Sequence, residues 1–152
     1  MNKWIWIGVA GIILLSSGAL LSLRSLQKHN DRMLRLLPHN EAKFRELCEA
    51  IEKTGNIVVI TSSYRSTEEQ ERLYRENPKN AKPGSSPHEH SRAIDINLIT
   101  VRGWVHKSDS VAKWNQTGVP QLAKKMGFRW GGDFTNYHDP VHFEIPKSAL
   151  PK

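Results

Sequence analysis

The apolar positions of this chain fall in three spacings: continuous, helical and alternating. From Trp4 to Leu23 no charged side chain occurs, and Ile, Leu, Val, Gly, Ala and Ser dominate. That run matches the ~20 residues needed to cross the ~30 Å hydrocarbon core of a bilayer. Residues 24–39 are basic and polar with a Leu-rich patch, which predicts a helical stalk ending at Pro38. Helical spacing then sets in: Asn40 can cap a helix to about Thr54, with Phe44, Leu47, Cys48 and Ile51 inward and Gly55 as its stop. The β-branched run Ile57 to Thr61 predicts a buried strand. Ser66-Thr-Glu-Glu69 fits a capping box and opens a helix to about Glu76. Residues 77–87, rich in Pro, Gly and Ser, predict a loop.

Alternation follows. Between Arg92 and Leu98, Ala93, Asp95 and Asn97 share one face, with Ile94, Ile96 and Leu98 on the other, as in a half-buried strand. A helix is predicted from Pro120 to Met126, with proline in its first turn and Gly127 as its cap. Val141 to Ile145 alternates again, His142 and Glu144 lying opposite Val141, Phe143 and Ile145. No internal repeat or low-complexity tract interrupts this order. The predicted fold class is α+β, a small antiparallel sheet with helices packed on one face, preceded by an N-terminal transmembrane or signal helix. The predicted organisation is an anchor or signal segment over 1–24, a linker or stalk over 25–39, and one folded domain over 40–152.

Two readings of the apolar run compete. It is an uncleaved anchor, holding the chain to the membrane through residues 4–23, or a signal peptide cut near Ser17-Gly18-Ala19, whose small residues suit such a site. Lys3 flanks one side, while Arg24, Lys28, Arg32 and Arg35 crowd the other; counted naively, the positive-inside rule keeps the C-terminal part cytoplasmic. The formal charge of +7 is spread along 152 residues without a dense basic block. It favours polyanions in general, and no nucleic-acid motif accompanies it, so nucleic acid is not an expected partner. Cys48, the single cysteine, excludes an intramolecular disulfide and sits at core spacing.

Chemistry concentrates in Ser86-Pro-His-Glu-His-Ser-Arg-Ala-Ile-Asp-Ile-Asn97 and Asp139-Pro-Val-His142. Asp95 and His142 fall on the polar faces of two predicted strands, and neighbouring strands would aim both into one cleft. His88, where a loop enters the first strand, can fold back over it. Two imidazoles and a carboxylate suit one zinc ion with a fourth position left open. Asp139 is the spare carboxylate, able to take and return a proton during hydrolysis. His138 makes H-x-x-x-H with His142, but Pro140 argues against a helix there. His90 lies outside the frame of the other ligands.

Ser86-x-His88-x-x-Ser91-x-Ala93-x-Asp95 resembles the S-x-H-x-x-G-x-A-x-D signature of the VanX/VanY-type D-alanyl-D-alanine carboxypeptidase metallopeptidases. Asp139-x-x-His142-Phe-Glu144, after Trp130-Gly-Gly-Asp133, is similar to their second motif in the form carried by phage and bacillar L-alanyl-D-glutamate endopeptidases. Ser63-Tyr64-Arg65-Ser66, with Glu69-Gln70 behind it, resembles a third block. The resemblance spans about residues 40–147 and implies a Hedgehog/DD-peptidase-like fold. It implies that His88, Asp95 and His142 hold one Zn²⁺, and that Asp139 is the general acid/base. Arg65 would steady a substrate carboxylate or the oxyanion, as a guanidinium's paired donors can. Ser86 would contact substrate or orient the His88 loop, and Asp133 would support the site from behind. Ser91 departs from the signature, which has glycine there, and so restricts positive φ; Val141 replaces the usual proline.

The expected activity is hydrolysis of peptidoglycan stem peptides by a monomeric, exported or membrane-anchored peptidase facing the periplasm or cell wall. An L-alanyl-D-glutamate endopeptidase comes first and a D-alanyl-D-alanine carboxypeptidase second. The wall-side location conflicts with the naive charge count around residues 4–23. A non-catalytic zinc-containing wall-binding module would not need Asp139. A membrane-anchored structural or lipid-binding protein would rest on residues 1–37 and the charge alone.

Overall fold

The computed structural model describes residues 17–149. Helix α1 (Ser17–Arg35) leads to α2 (Glu41–Glu52), strand β1 (Ile57–Ser62) and α3 (Thr67–Glu76). A 3-10 turn (Pro87–His90) enters β2 (Ala93–Thr100), which is followed by β3 (Gly103–Val105), α4 (Val111–Gln116) and α5 (Val119–Lys125). Strand β4 (Arg129–Trp130), a 3-10 turn over Gly131–Asp133 and β5 (His142–Glu144) complete the core. All pairings are antiparallel, in the order β1-β2-β5-β4 with β3 also on β2. The α+β expectation with a small antiparallel sheet holds; β3 and α4, three and six residues long, are too short for a periodic signal.

Alternation along the strands separates two faces. Val58, Ile60, Ile94, Ile96, Leu98 and Phe143 form one buried cluster with Phe44, Leu47 and Ile51 of α2 and Trp114, Val119 and Ala123 of α4 and α5. Burial pushes the Cys48 thiol up to about 12, so it stays a protonated core group at neutral pH. The opposite face carries Asp95 and His142, paired directly across β2 and β5. A bulge between Ile60 and Ser62 shifts β1 by one residue and sets Ser62 opposite Asp95.

The expected stalk is helical, but its second half is built into the domain. Asn30 donates from Nδ2 to the Val58 carbonyl at 2.8 Å and accepts from the Ile60 N–H at 3.0 Å, while His29 Nε2 lies 2.8 Å from the Ile60 carbonyl. Leu34 and Leu37 are buried in the core, and Asp31 pairs with Arg45 of α2. These side chains satisfy the outer edge of β1, which would otherwise be open to another strand. The apolar run over 4–23 lies mostly outside the described residues, and among those described no helix is long and apolar enough to cross a membrane.

Ser91 takes the left-handed conformation (φ 55°, ψ 28°) that the sequence comparison reserves for glycine. Asn40, expected to cap α2 with its side chain, instead donates from Nδ2 to the Ser91 carbonyl at 2.9 Å. The Ser91 and Arg92 N–H groups donate back to the His88 and Pro87 carbonyls. Three hydrogen bonds thus hold a serine where an L-residue costs about 1–2 kcal/mol. Ser91→Gly is expected to leave the fold unchanged and raise stability by up to about 1 kcal/mol in urea unfolding, the relief being partly offset by glycine's unfolded-state entropy.

Candidate metal centre

His88, Asp95 and His142 meet at one point. His88 Nε2 lies 3.3 Å from Asp95 Oδ1 and 3.3 Å from His142 Nδ1, and His142 Nδ1 lies 2.9 Å from Asp95 Oδ1. Tetrahedral ligation at ~2.0–2.2 Å separates ligand atoms by roughly 3.3–3.6 Å, close to this triangle. Each imidazole is also fixed from behind. His88 Nδ1 donates to the Ser63 carbonyl at 2.7 Å, and His142 Nε2 donates to Glu144 Oε2 at 3.1 Å. With those nitrogens protonated, the neutral rings present bare Nε2 and Nδ1 lone pairs toward a carboxylate oxygen. A proton or a metal cation must sit among them.

The electrostatics agree. Burial by itself would raise the Asp95 pKa, yet hydrogen bonds from His142 and His88 outweigh it and hold the carboxyl far below the usual range. Burial disfavours a charged His142, but bonds to Asp95 and Glu144 push it up to about 9. The centre therefore favours positive charge. Two nitrogens and one carboxylate oxygen, nearly buried, fit a single ion of zinc's size and ligand preference.

The Trp-Gly-Gly-Asp and Asp-Pro-x-His segments interlock to aim Asp139. Trp130 Nε1 donates to the Pro140 carbonyl at 2.7 Å, and the His142 N–H donates to the Asp139 carbonyl at 3.0 Å. A Cβ at Gly131 would lie 2.2 Å from the Asp139 carbonyl oxygen, and one at Gly132 would lie 2.2 Å from the Trp130 ring. Both glycines are there for close approach. Asp139 Oδ1 is buried without a hydrogen bond; Lys107 Nζ stands 3.4 Å away, outside hydrogen-bond geometry.

Arg65 follows the bulged end of β1. Its N–H donates to the His88 carbonyl at 3.3 Å, and its guanidinium to Gln70 Oε1 at 2.8 Å and Ser62 Oγ at 3.3 Å. Gln70, the one fully buried residue of α3, is anchored in turn on the Ala81 carbonyl. Ser86 is buried at the start of the His88 turn, where its backbone N–H donates to Glu89 Oε2 at 3.0 Å.

Asp133 does not join the centre. It is exposed and pairs with Lys124 at 2.9 Å, because its 3-10 turn faces outward from Gly131. His90 and His138 are likewise exposed, bonded to the carbonyls of Gly84 and Asp109. The residues that do support the site are Glu144, Gln70, Glu89 and Asn40. Glu144 left a signal in its strand alternation, since residues i and i+2 share a face, and Gln70 in the block with Arg65. Removing its acceptor charge by Glu144→Gln is expected to weaken metal binding about 10–100-fold in competition with a chromophoric chelator.

Fold and site together give a His₂Asp group fitted to a single metal ion on an α+β scaffold, with the Asp139 carboxylate, ion-paired to Lys107, on the turn that leads to His142. Residues 79–145 match the family profile described as D-alanyl-D-alanine carboxypeptidase. Over 107 residues it is 35% identical to the peptidoglycan L-alanyl-D-glutamate endopeptidase CwlK of Bacillus subtilis (strain 168). The match covers 60% of this chain and 62% of that protein, so the chain spans less than two thirds of this curated relative. The L-Ala D-Glu endopeptidase ChiX of Serratia marcescens shares the fold at 20% identity and TM-score 0.52, over 71% of this chain and 84% of that one. The LdcB LD-carboxypeptidase does so at 24% identity and TM-score 0.50, over 72% and 58%.

Proposed function

We propose that this protein is a zinc-dependent peptidase that hydrolyses peptidoglycan stem peptides, acting as an L-alanyl-D-glutamate endopeptidase. The observation that carries the reading is the convergence of His88 Nε2, His142 Nδ1 and Asp95 Oδ1, with Asp139 Oδ1 buried and without a hydrogen bond on the turn that leads into the His142 strand. His88, Asp95 and His142 would hold the ion, which supplies Lewis-acid polarisation of a peptide carbonyl. Asp139 takes a proton from the attacking water and delivers it to the leaving amine. Arg65, pre-oriented by Gln70 and Ser62, offers paired donors to a substrate carboxylate or to the oxygen that gains charge.

The 35% identity to an L-alanyl-D-glutamate endopeptidase, together with the Trp-Gly-Gly-Asp segment, supports that bond over D-Ala–D-Ala. The carboxypeptidase reading draws on the family description. Digestion of muropeptides separates them: the expected product has a new amino terminus on D-Glu, whereas free D-Ala with intact L-Ala–D-Glu bonds would transfer the assignment. Excess chelator should abolish hydrolysis, zinc should restore it, and His142→Ala should retain no stoichiometric metal. Retention of activity after verified metal removal would overturn the zinc reading. We also place the domain on the wall side of the membrane, with residues 4–23 as anchor or cleaved signal. Resistance of the domain to protease added to cells stripped of wall would contradict that placement.

A further inference from the structure

Behind His142, on the side of Glu144 away from the metal centre, lies an open cavity of about 410 Å³ lined by Arg92, Arg129 and Lys147 together with Glu144 and Phe134. Its charges do not balance. Glu144 is already engaged twice, by His142 through Oε2 and by Arg129 through Oε1 at 2.7 Å. Arg92 is only 4% exposed, and its guanidinium makes one hydrogen bond, from Nη1 to the Ile145 carbonyl at 2.8 Å. Among the described residues no carboxylate lies within ion-pair distance of Arg92 or Lys147. Arg92 and Glu144 interact only through space, with no direct bond between them, so the buried guanidinium has donors to spare for an anion.

We propose that this cavity is a carboxylate-binding subsite, in which Arg92 and Lys147, with the exposed part of Arg129, receive a free carboxylate of the peptide whose backbone lies across the metal centre. The inference rests on the peptidase reading above. The ligand class follows from the donors: a guanidinium fork matches the two oxygens of a carboxylate, and three cations against one committed carboxylate leave room for negative charge. A D-glutamyl residue joined through one carboxyl keeps the other, so the proposed substrate carries such a group beside the bond to be cut. Geometry supports proximity as well. Glu144 bonds both His142 and Arg129, and the Arg129 guanidinium lies 5.1 Å from the centre of the Phe134 ring, itself 5.9 Å from the His142 ring.

The test compares an L-Ala–D-Glu peptide with its counterpart amidated at every carboxylate. Binding is measured by calorimetry on the zinc-loaded full chain carrying Asp139→Asn, so that turnover does not intrude. The free-acid peptide is expected to bind about tenfold more tightly, the worth of one charge-assisted contact. Arg92→Gln should reduce that preference to less than twofold. Lys147→Glu, at the exposed mouth, should reduce it in the same direction and covers the case in which Arg92→Gln does not fold. Equal affinity for the two peptides overturns the subsite. Hydrolysis of both at equal kcat/KM overturns it while leaving the peptidase reading intact. Discrimination in binding with neither peptide hydrolysed by the unaltered chain removes the peptidase reading and leaves the subsite standing.

Discussion

Asp139→Asn should lower the hydrolysis rate of muropeptides about 10²–10⁴-fold while leaving the metal content at one ion per chain. The substitution is nearly isosteric, and the turn that carries it is fixed by backbone and indole contacts rather than by the carboxylate. Trp130 Nε1 holds the Pro140 carbonyl, and the His142 N–H holds the carbonyl of residue 139 itself. Oδ1 has no hydrogen bond to lose, and its ion pair with the largely exposed Lys107 is worth at most about 1 kcal/mol, so stability should change little. What disappears is the capacity to take a proton from water and return it to the leaving amine. Metal binding is untouched because the triangle of His88, Asp95 and His142 does not include residue 139. Steady-state kinetics with parallel metal analysis check the outcome. A rate within threefold of the unaltered chain would remove Asp139 from the mechanism.

A chain beginning at residue 40 should fail to fold stably, whereas one beginning at residue 24 should retain a cooperative transition. The sequence places the domain boundary at 40, because Pro38 ends the basic stalk and Asn40 opens the next helix. The structure buries Leu34 at 2% exposure and Leu37 at 0% in the same cluster as Phe44 and Ile60. Loss of one such leucine costs about 2–5 kcal/mol, against a total stability of about 5–15 kcal/mol for a domain. Truncation would also strip Asn30 and His29 from the outer edge of β1, leaving Val58 and Ile60 backbone groups open to pairing with other chains. Urea unfolding and light scattering would show low stability and association. A monomeric chain from residue 40 that unfolds at an unchanged midpoint would refute the assignment of α1 to the fold.

Helix α2 and strands β2 and β5 are legible because burial on one face imposes a period of 3.6 or 2 on the apolar residues, and β1 because its β-branched run is continuous. Helix α1 is legible as a helix but not as part of the domain. Its decisive contacts are polar: Asn30 and His29 bond to strand backbone, and no periodicity marks them. Ser91 shows the converse. Read alone it weakens the His88 loop, yet the carbonyls of Pro87 and His88 and the side chain of Asn40, 51 residues earlier, hold it in place.

The sequence by itself determined the inventory: three ligands, one spare carboxylate and an arginine, each on an element whose local pattern sets the face it uses. Tertiary structure alone decided which of these act together. It put Asp95 opposite His142, folded His88 over them, sent Asp133 outward to Lys124, and recruited Glu144 and Gln70 as supports. The physical reason is that local periodicity fixes where a side chain points relative to its own strand or helix. Strand register and hydrogen bonds between residues far apart in the chain fix what it meets.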